Sequence, residues 1–153
     1  ANRLQPNAIV VIDNLYTIAI QSRQVDEVVN WGSKLFNKKP TTDLANEIAL
    51  LCYSVQKFDW SRVFYEKSLT INPNQPDVEI NLALIAFQGG ALDSTEKHLK
   101  KALSIQPEHM PTLEKLATFY YQQGKLVEAC ELLQKAVGLG SAKAAQMAEQ
   151  VCS

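Results

Sequence analysis

The side chains able to do covalent or metal chemistry in this chain are few and widely separated: Cys52, Cys130, Cys152, His98 and His109. A zinc or redox site needs paired ligands such as Cys-x-x-Cys, and no such pair occurs. His98 lies within Glu96-Lys97-His98-Leu99-Lys100-Lys101, which reads as the exposed side of a helix, and His109 lies in a loop. Neither has an acid or nucleophile at a pairing spacing. Cys52 falls on an apolar helical stripe, where a thiol acts as a small core hydrophobe. The Gly89-Gly90 pair is a turn and not a phosphate loop, since no Lys-Ser/Thr follows and no strand precedes it. Lys97, Lys100 and Lys101 read as a solvated face with Glu96 and Lys100 at pairing distance on a helix. Trp31 and Trp60 are expected to pack between helices. The reading is of no enzyme, no cofactor and no metal.

The elements that position these residues follow from simple totals. A chain of 153 residues is expected to form a single domain, 1–153. Hydrophobic residues make up 46% and charged residues 20%, so a real core can be buried without disulfides. A net charge of -1 lacks the basic footprint of a nucleic-acid binder. The apolar runs fall far short of the roughly 20 residues of a membrane span. Three cysteines at wide spacing favour a reducing compartment, hence the cytoplasm, with the periplasm still open. The start at Ala1 instead of Met leads to the expectation that the chain is a processed or excised piece.

Self-similarity carries more information than composition. Pro73 and Pro107 stand 34 residues apart, Pro107 and Ser141 again 34, and Pro40 precedes Pro73 by 33. Within each period the same apolar columns recur: Leu15/Ile48/Leu82/Leu116, Tyr16/Ala49/Ala83/Ala117 and Ala19/Cys52/Ala86/Tyr120. Their i, i+1, i+4 spacing marks one helix face. A turn follows, and then Asp26, Asp59 and Asp93 stand where an acid can cap a helix or sit in its first turn. The second stripe runs Val28/Ser61/Thr95/Ala129, Gly32/Tyr65/Leu99/Leu133, Leu35/Ser68/Ala102/Ala136 and Phe36/Leu69/Leu103/Val137. Pro40, Pro73 and Pro107 then block helix continuation. Each unit reads helix, turn, helix, stop.

This pattern resembles the tetratricopeptide repeat, carried by Ala45, Ile48, Ala49, Cys52, Ser61, Tyr65, Ser68 and Pro73 in the second unit. The fourth unit matches through Leu113, Leu116, Ala117, Tyr120, Gly124, Ala129, Leu133 and Ala136. The first departs from it: Gly32 is small where a large residue is usual, and Leu35 large where a small one is usual. Either a volume swap compensates, or the register slips there. The expected fold is all-α, a right-handed α-solenoid of antiparallel helix pairs. It comprises four repeats (about 9–41, 42–75, 76–109 and 110–143) and a capping helix over about 142–152. In that helix Ala145, Ala148 and Val151 form the apolar side.

The resemblance implies a concave surface lined by the first helix of each pair. It assigns to that face Asn46, Leu50 and Tyr53, then Asp77, Ile80, Asn81, Leu84 and Phe87, then Glu114, Lys115, Thr118 and Tyr121, with Asp13, Thr17 and Ile20 in the first unit. The column Ile20/Tyr53/Phe87/Tyr121 suggests a ladder suited to gripping a peptide. Asp13, Asp43, Glu47, Asp77 and Glu114 against Lys115 favour a basic or polar protein partner. Asn81 and Lys115 match two places of the clamp by which related chaperone-binding domains hold an acidic tail. Asn46, Leu50 and Pro111 fill the others, so such a tail is not expected. The functional expectation is a non-catalytic scaffold or adaptor binding a peptide or partner helix. The alternative is a docking or regulatory arm of a larger enzyme or of a secretion or assembly machine. Self-association through the solenoid ends is compatible with either.

Overall fold

The computed structural model describes residues 6–152; residues 1–5 and Ser153, which the 1–153 span includes, lie outside it. Among the described residues there are nine α-helices and no strand. Their packing divides the chain into two compact units, one ending at Pro73 and the other starting at Asn74.

The first unit holds α1 (Pro6–Gln21), α2 (Val25–Lys38), α3 (Thr42–Ser54) and α4 (Phe58–Ile71). Helix α1 packs on α2, α3 on α4, and α2 on α3. The second unit holds α5 (Pro76–Gln88), α6 (Leu92–Ile105), α7 (Met110–Gln122), α8 (Leu126–Gly138) and α9 (Ala142–Val151). Here α5 packs on α6, α7 on α8, α6 on α7, and α9 closes against α8. Most of both stripes is buried, including Ile48, Ala49 and Cys52 on one helix and Ser61, Tyr65 and Ser68 on its partner; Leu15, Leu69, Ala86 and Leu103 are half-buried and Val137 is exposed. The proline stops also fall where expected: α2, α4 and α6 end two residues before Pro40, Pro73 and Pro107.

Every helix pair is joined by the same three-residue turn. The amide of its last residue (Gln24, Lys57, Ala91 or Lys125) donates to a carbonyl five residues back (Ala19, Cys52, Ala86 or Tyr120). That closure needs a left-handed residue in the middle of the turn. Gly90 and Gly124 supply it in the second unit at φ 75° and 74°, whereas the first unit uses Arg23 and Gln56 at 54° and 62°. Asp26, Asp59 and Asp93 follow as first-turn residues. The caps are Gln24, Lys57 and Ala91, without a side-chain bond, so the aspartates act through the positive end of the helix dipole.

The odd first repeat keeps its register. A Cβ on Gly32 would come within 2.5 Å of Ile48 Cδ1 and 3.1 Å of Tyr16 Cε2. Tyr16 occupies the column that holds alanine in the other three repeats, and its ring takes the space that Gly32 leaves. The volume compensation is therefore between Gly32 and the Ile48 and Tyr16 side chains together. In the capping helix Val151 is buried and Ala145 and Ala148 half-buried, as expected, and Ala144 (buried) and Met147 (half-buried) widen that side. Ser141 caps it, accepting from the Ala144 amide at 3.0 Å. Trp60 corrects an expectation: it is 45% exposed, since its position on α4 faces away from the packed stripe. Trp31 is half-buried, donates its indole N–H to Glu27 at 2.8 Å, and carries the Lys34 ammonium over its ring.

Candidate functional site

In the first unit, α1 and α3 bring Asp13, Asp43 and Glu47 around an open recess of about 570 Å³ with Tyr16, Leu35 and Thr41 in its wall. Lys39 is the one cation among the lining side chains. The Tyr16 hydroxyl donates to Glu47 Oε2 at 2.9 Å. Burial, then the Glu47 carboxylate, push its pKa well above the ordinary tyrosine value, so it remains a donor. The recess is therefore a carboxylate-rimmed surface with a fixed phenol at its edge. Of the expected residues of this unit, Leu50 is 60% exposed, while Ile20, Asn46 and Tyr53 are half-buried. Tyr53 packs edge-on against Phe58 with ring centroids 5.5 Å apart, which turns it toward its own helix pair.

In the second unit, Leu84, Phe87, Lys115 and Thr118 converge on a cavity of about 230 Å³. Ala83, Leu99 and Phe119 add apolar wall, and Lys143 reaches its mouth from α9. Phe87 is 41% exposed and meets Phe119 edge-on at 6.3 Å, so one ring of the expected ladder forms part of a cavity wall. Asp77, Asn81 and Tyr121 are not in the lining; Tyr121 is 45% exposed and Asp77 lies 3.6 Å from His109 Nε2.

The acidic balance read from sequence changes here. Glu114 accepts from the Ser141 hydroxyl at 2.6 Å and pairs with Lys143 at 3.2 Å. Ser141 first, and then Lys143, hold its carboxyl below the usual range despite some burial. Lys143 comes from α9 and lines the same cavity as Lys115. A helix outside the repeat pattern thus supplies one of the two cations of this cavity and the partner of Glu114.

Sequence reading also missed Glu79. It occupies the column of Ala45 and Leu113 and is fully buried, as they are. The repeat offset alone marks it, since an acid there breaks an apolar column. Its Oε2 meets His98 Nδ1 at 2.7 Å, and Lys101 reaches Oε1. His98 therefore lies against α5, with a side chain only 27% exposed, and has an acidic partner after all, from another helix. A buried carboxylate demands such partners because desolvation would otherwise oppose its charge. Nearby, Glu96 gathers the Lys100, Tyr120 and Lys125 side chains, the first at 2.7 Å. These donors, Lys100 foremost, pull its pKa down to about 2.

Cys130 and Cys152 form a disulfide that ties α8 to the end of α9. Cys52 is a buried free thiol whose pKa burial pushes up to about 11, so at neutral pH it is an inert core residue. Among the described residues no group of three or more His, Cys, Asp or Glu could share a metal ion, and no helix is long and apolar enough to cross a membrane.

The sequence matches no family model and no curated protein. Solved structures do match. The MamA protein superposes with a TM-score of 0.76 at 12% identity, over 96% of this chain and 82% of MamA. YrrB, a tetratricopeptide-repeat protein with an unusual peptide-binding site, gives 0.71 at 14% identity over 94% of this chain and 75% of YrrB. The first tetratricopeptide-repeat domain of Spaghetti (RPAP3), bound to the HSP90 peptide SRMEEVD, gives 0.65 at 16% identity over 72% of this chain and 90% of that domain. The fold is the tetratricopeptide-repeat fold. At these identities the likeness speaks for architecture, and the residues of the two sites must be read from this chain.

Proposed function

We propose that this protein is a non-catalytic interaction module that holds a peptide or partner helix against preformed surfaces of its helix pairs. The observation that carries it is the convergence of Leu84, Phe87, Lys115 and Thr118 on one cavity, with Phe87 partly exposed at its wall. A rigid apolar recess with a few polar groups is how a repeat surface gains affinity at low ordering cost. Peptide binding by YrrB and by the Spaghetti domain supports the reading by analogy of fold. On the first unit, Asp13, Asp43 and Glu47 around the recess favour a basic or polar segment of the partner. The Cys130–Cys152 bond supports residence in an oxidising compartment, such as the periplasm, over the cytoplasm.

The test is direct. A partner is isolated from the source cell and identified, and its affinity is measured for the wild type and for Leu84→Ala with Phe87→Ala. Affinity is expected to fall while far-ultraviolet circular dichroism is unchanged. Unaltered affinity would remove this surface from the reading.

A further inference from the structure

The cavity of the second unit, read above as a contact surface, has a more specific chemistry. Its volume of about 230 Å³ lies below the roughly 300–1,000 Å³ typical of small-molecule pockets, so it suits one inserted side chain. Ala83, Leu84, Leu99 and Phe119 give it aliphatic and aromatic wall, interrupted by Thr95 and Gln122, and that wall fits an apolar insert. At the mouth stand Lys115 and Lys143. Lys115 is half-buried and has no carboxylate within ion-pair distance among the described residues. Lys143 is 72% exposed and pairs with Glu114, the carboxylate that also accepts from Ser141. Two cations beside an apolar hole, with the Glu114 carboxylate balancing one of them, leave a net positive charge that favours a negative group next to the inserted one.

We propose that this cavity binds an internal segment of a partner protein in which a leucine-sized apolar side chain is followed by Asp or Glu, the apolar group filling the hole and the carboxylate meeting Lys115 and Lys143. This rests on the interaction-module reading and names the partner's chemistry at that site. It also sets the second unit apart from the first, whose carboxylate rim repels the same sequence.

The probe is a blocked peptide, acetyl-Gly-Ser-Leu-Glu-Ser-Gly-amide, titrated into the full ¹⁵N-labelled protein. Binding is expected on the order of millimolar, as befits one inserted side chain. Amide shifts are expected to centre on Phe87, Lys115, Thr118 and Phe119. Replacing the peptide's Glu by Gln, or the protein's Lys115 by Gln together with Lys143→Gln, is expected to weaken binding about fivefold, the scale of a partly exposed ion pair. Replacing the peptide's Leu by Ala is expected to abolish the shifts. Unchanged far-ultraviolet circular dichroism of the lysine double variant is the control that the fold is retained and that the loss reports on charge. Equal affinity for the Glu and Gln peptides, or shifts centred elsewhere, would overturn the proposal. So would much tighter binding of a peptide ending in a free Leu carboxylate, since the site would then read a chain terminus. If no probe binds while Phe87→Ala still abolishes capture of the identified partner, this inference falls and the interaction-module reading stands.

Discussion

The two units use one repeat pattern and reach different ends with it. The first closes its turns with Arg23 and Gln56 in the left-handed region and offsets a large Tyr16 with Gly32. The second uses glycine at the same turn positions, keeps alanine in the Tyr16 column, and admits a buried acid at Glu79. It also carries a fifth helix fastened by the Cys130–Cys152 bond. The first unit presents a recess rimmed by Asp13, Asp43 and Glu47, and the second an apolar cavity with Lys115 and Lys143 at its mouth. A repeat thus constrains only the columns that face a neighbouring helix. The columns that face solvent, and the terminal helix, are free to diverge, and the binding chemistry lies there.

The largest expected effect tests the fastening of the second unit. Cys130→Ser with Cys152→Ser opens a loop spanning 22 residues, and chain entropy places the loss of stability at about 3 kcal/mol. Hydrogen exchange is expected to accelerate in α9 and to remain unchanged in α1 to α4. Faster exchange in the first unit would show that the effect of the bond is not confined to the second.

Overpacking tests the swap between Tyr16 and Gly32. Gly32→Leu in the first unit and Ala83→Leu in the second are each expected to cost about 1–3 kcal/mol in urea melts. Gly32→Leu combined with Tyr16→Ala is expected to recover part of the loss, because it restores the column arrangement of the other repeats. Additive losses would show that the two positions do not share one volume.

The turn comparison predicts a smaller change of the opposite sign. Arg23→Gly and Gln56→Gly relieve a left-handed L-residue but loosen the unfolded chain, leaving a net gain of about 0.5 kcal/mol each. The same urea melts check this. A loss would show that the Arg23 or Gln56 side chain contributes more than its backbone costs.

The smallest effect is on the acid limb of stability. Glu96 has a folded pKa of about 2 against an ordinary 4.5. A depressed carboxylate contributes stability that is fully present above the unfolded value and lost as pH falls toward the folded one. Glu96→Gln is therefore expected to flatten the decline between pH 4.5 and 2, measured by the denaturation midpoint as a function of pH. An unchanged slope would assign that window to other carboxyls, Glu114 first among them.

The amino-acid sequence by itself determined the helix pairs, their stops and their buried columns. Each of those follows from a local pattern: a helical stripe, a proline two residues past the end, an acid in the first turn. It also assigned Leu84 and Phe87 of α5 and Lys115 and Thr118 of α7 to one surface, and all four line the cavity of the second unit. Only the tertiary structure decided that Glu79 is held by His98 and Lys101, that Cys130 meets Cys152, and that Lys143 comes to the cavity of Lys115. These partners sit on different helices at separations no repeat period encodes. Whether their side chains meet depends on how each helix packs against the next, and that packing is a property of the assembled core.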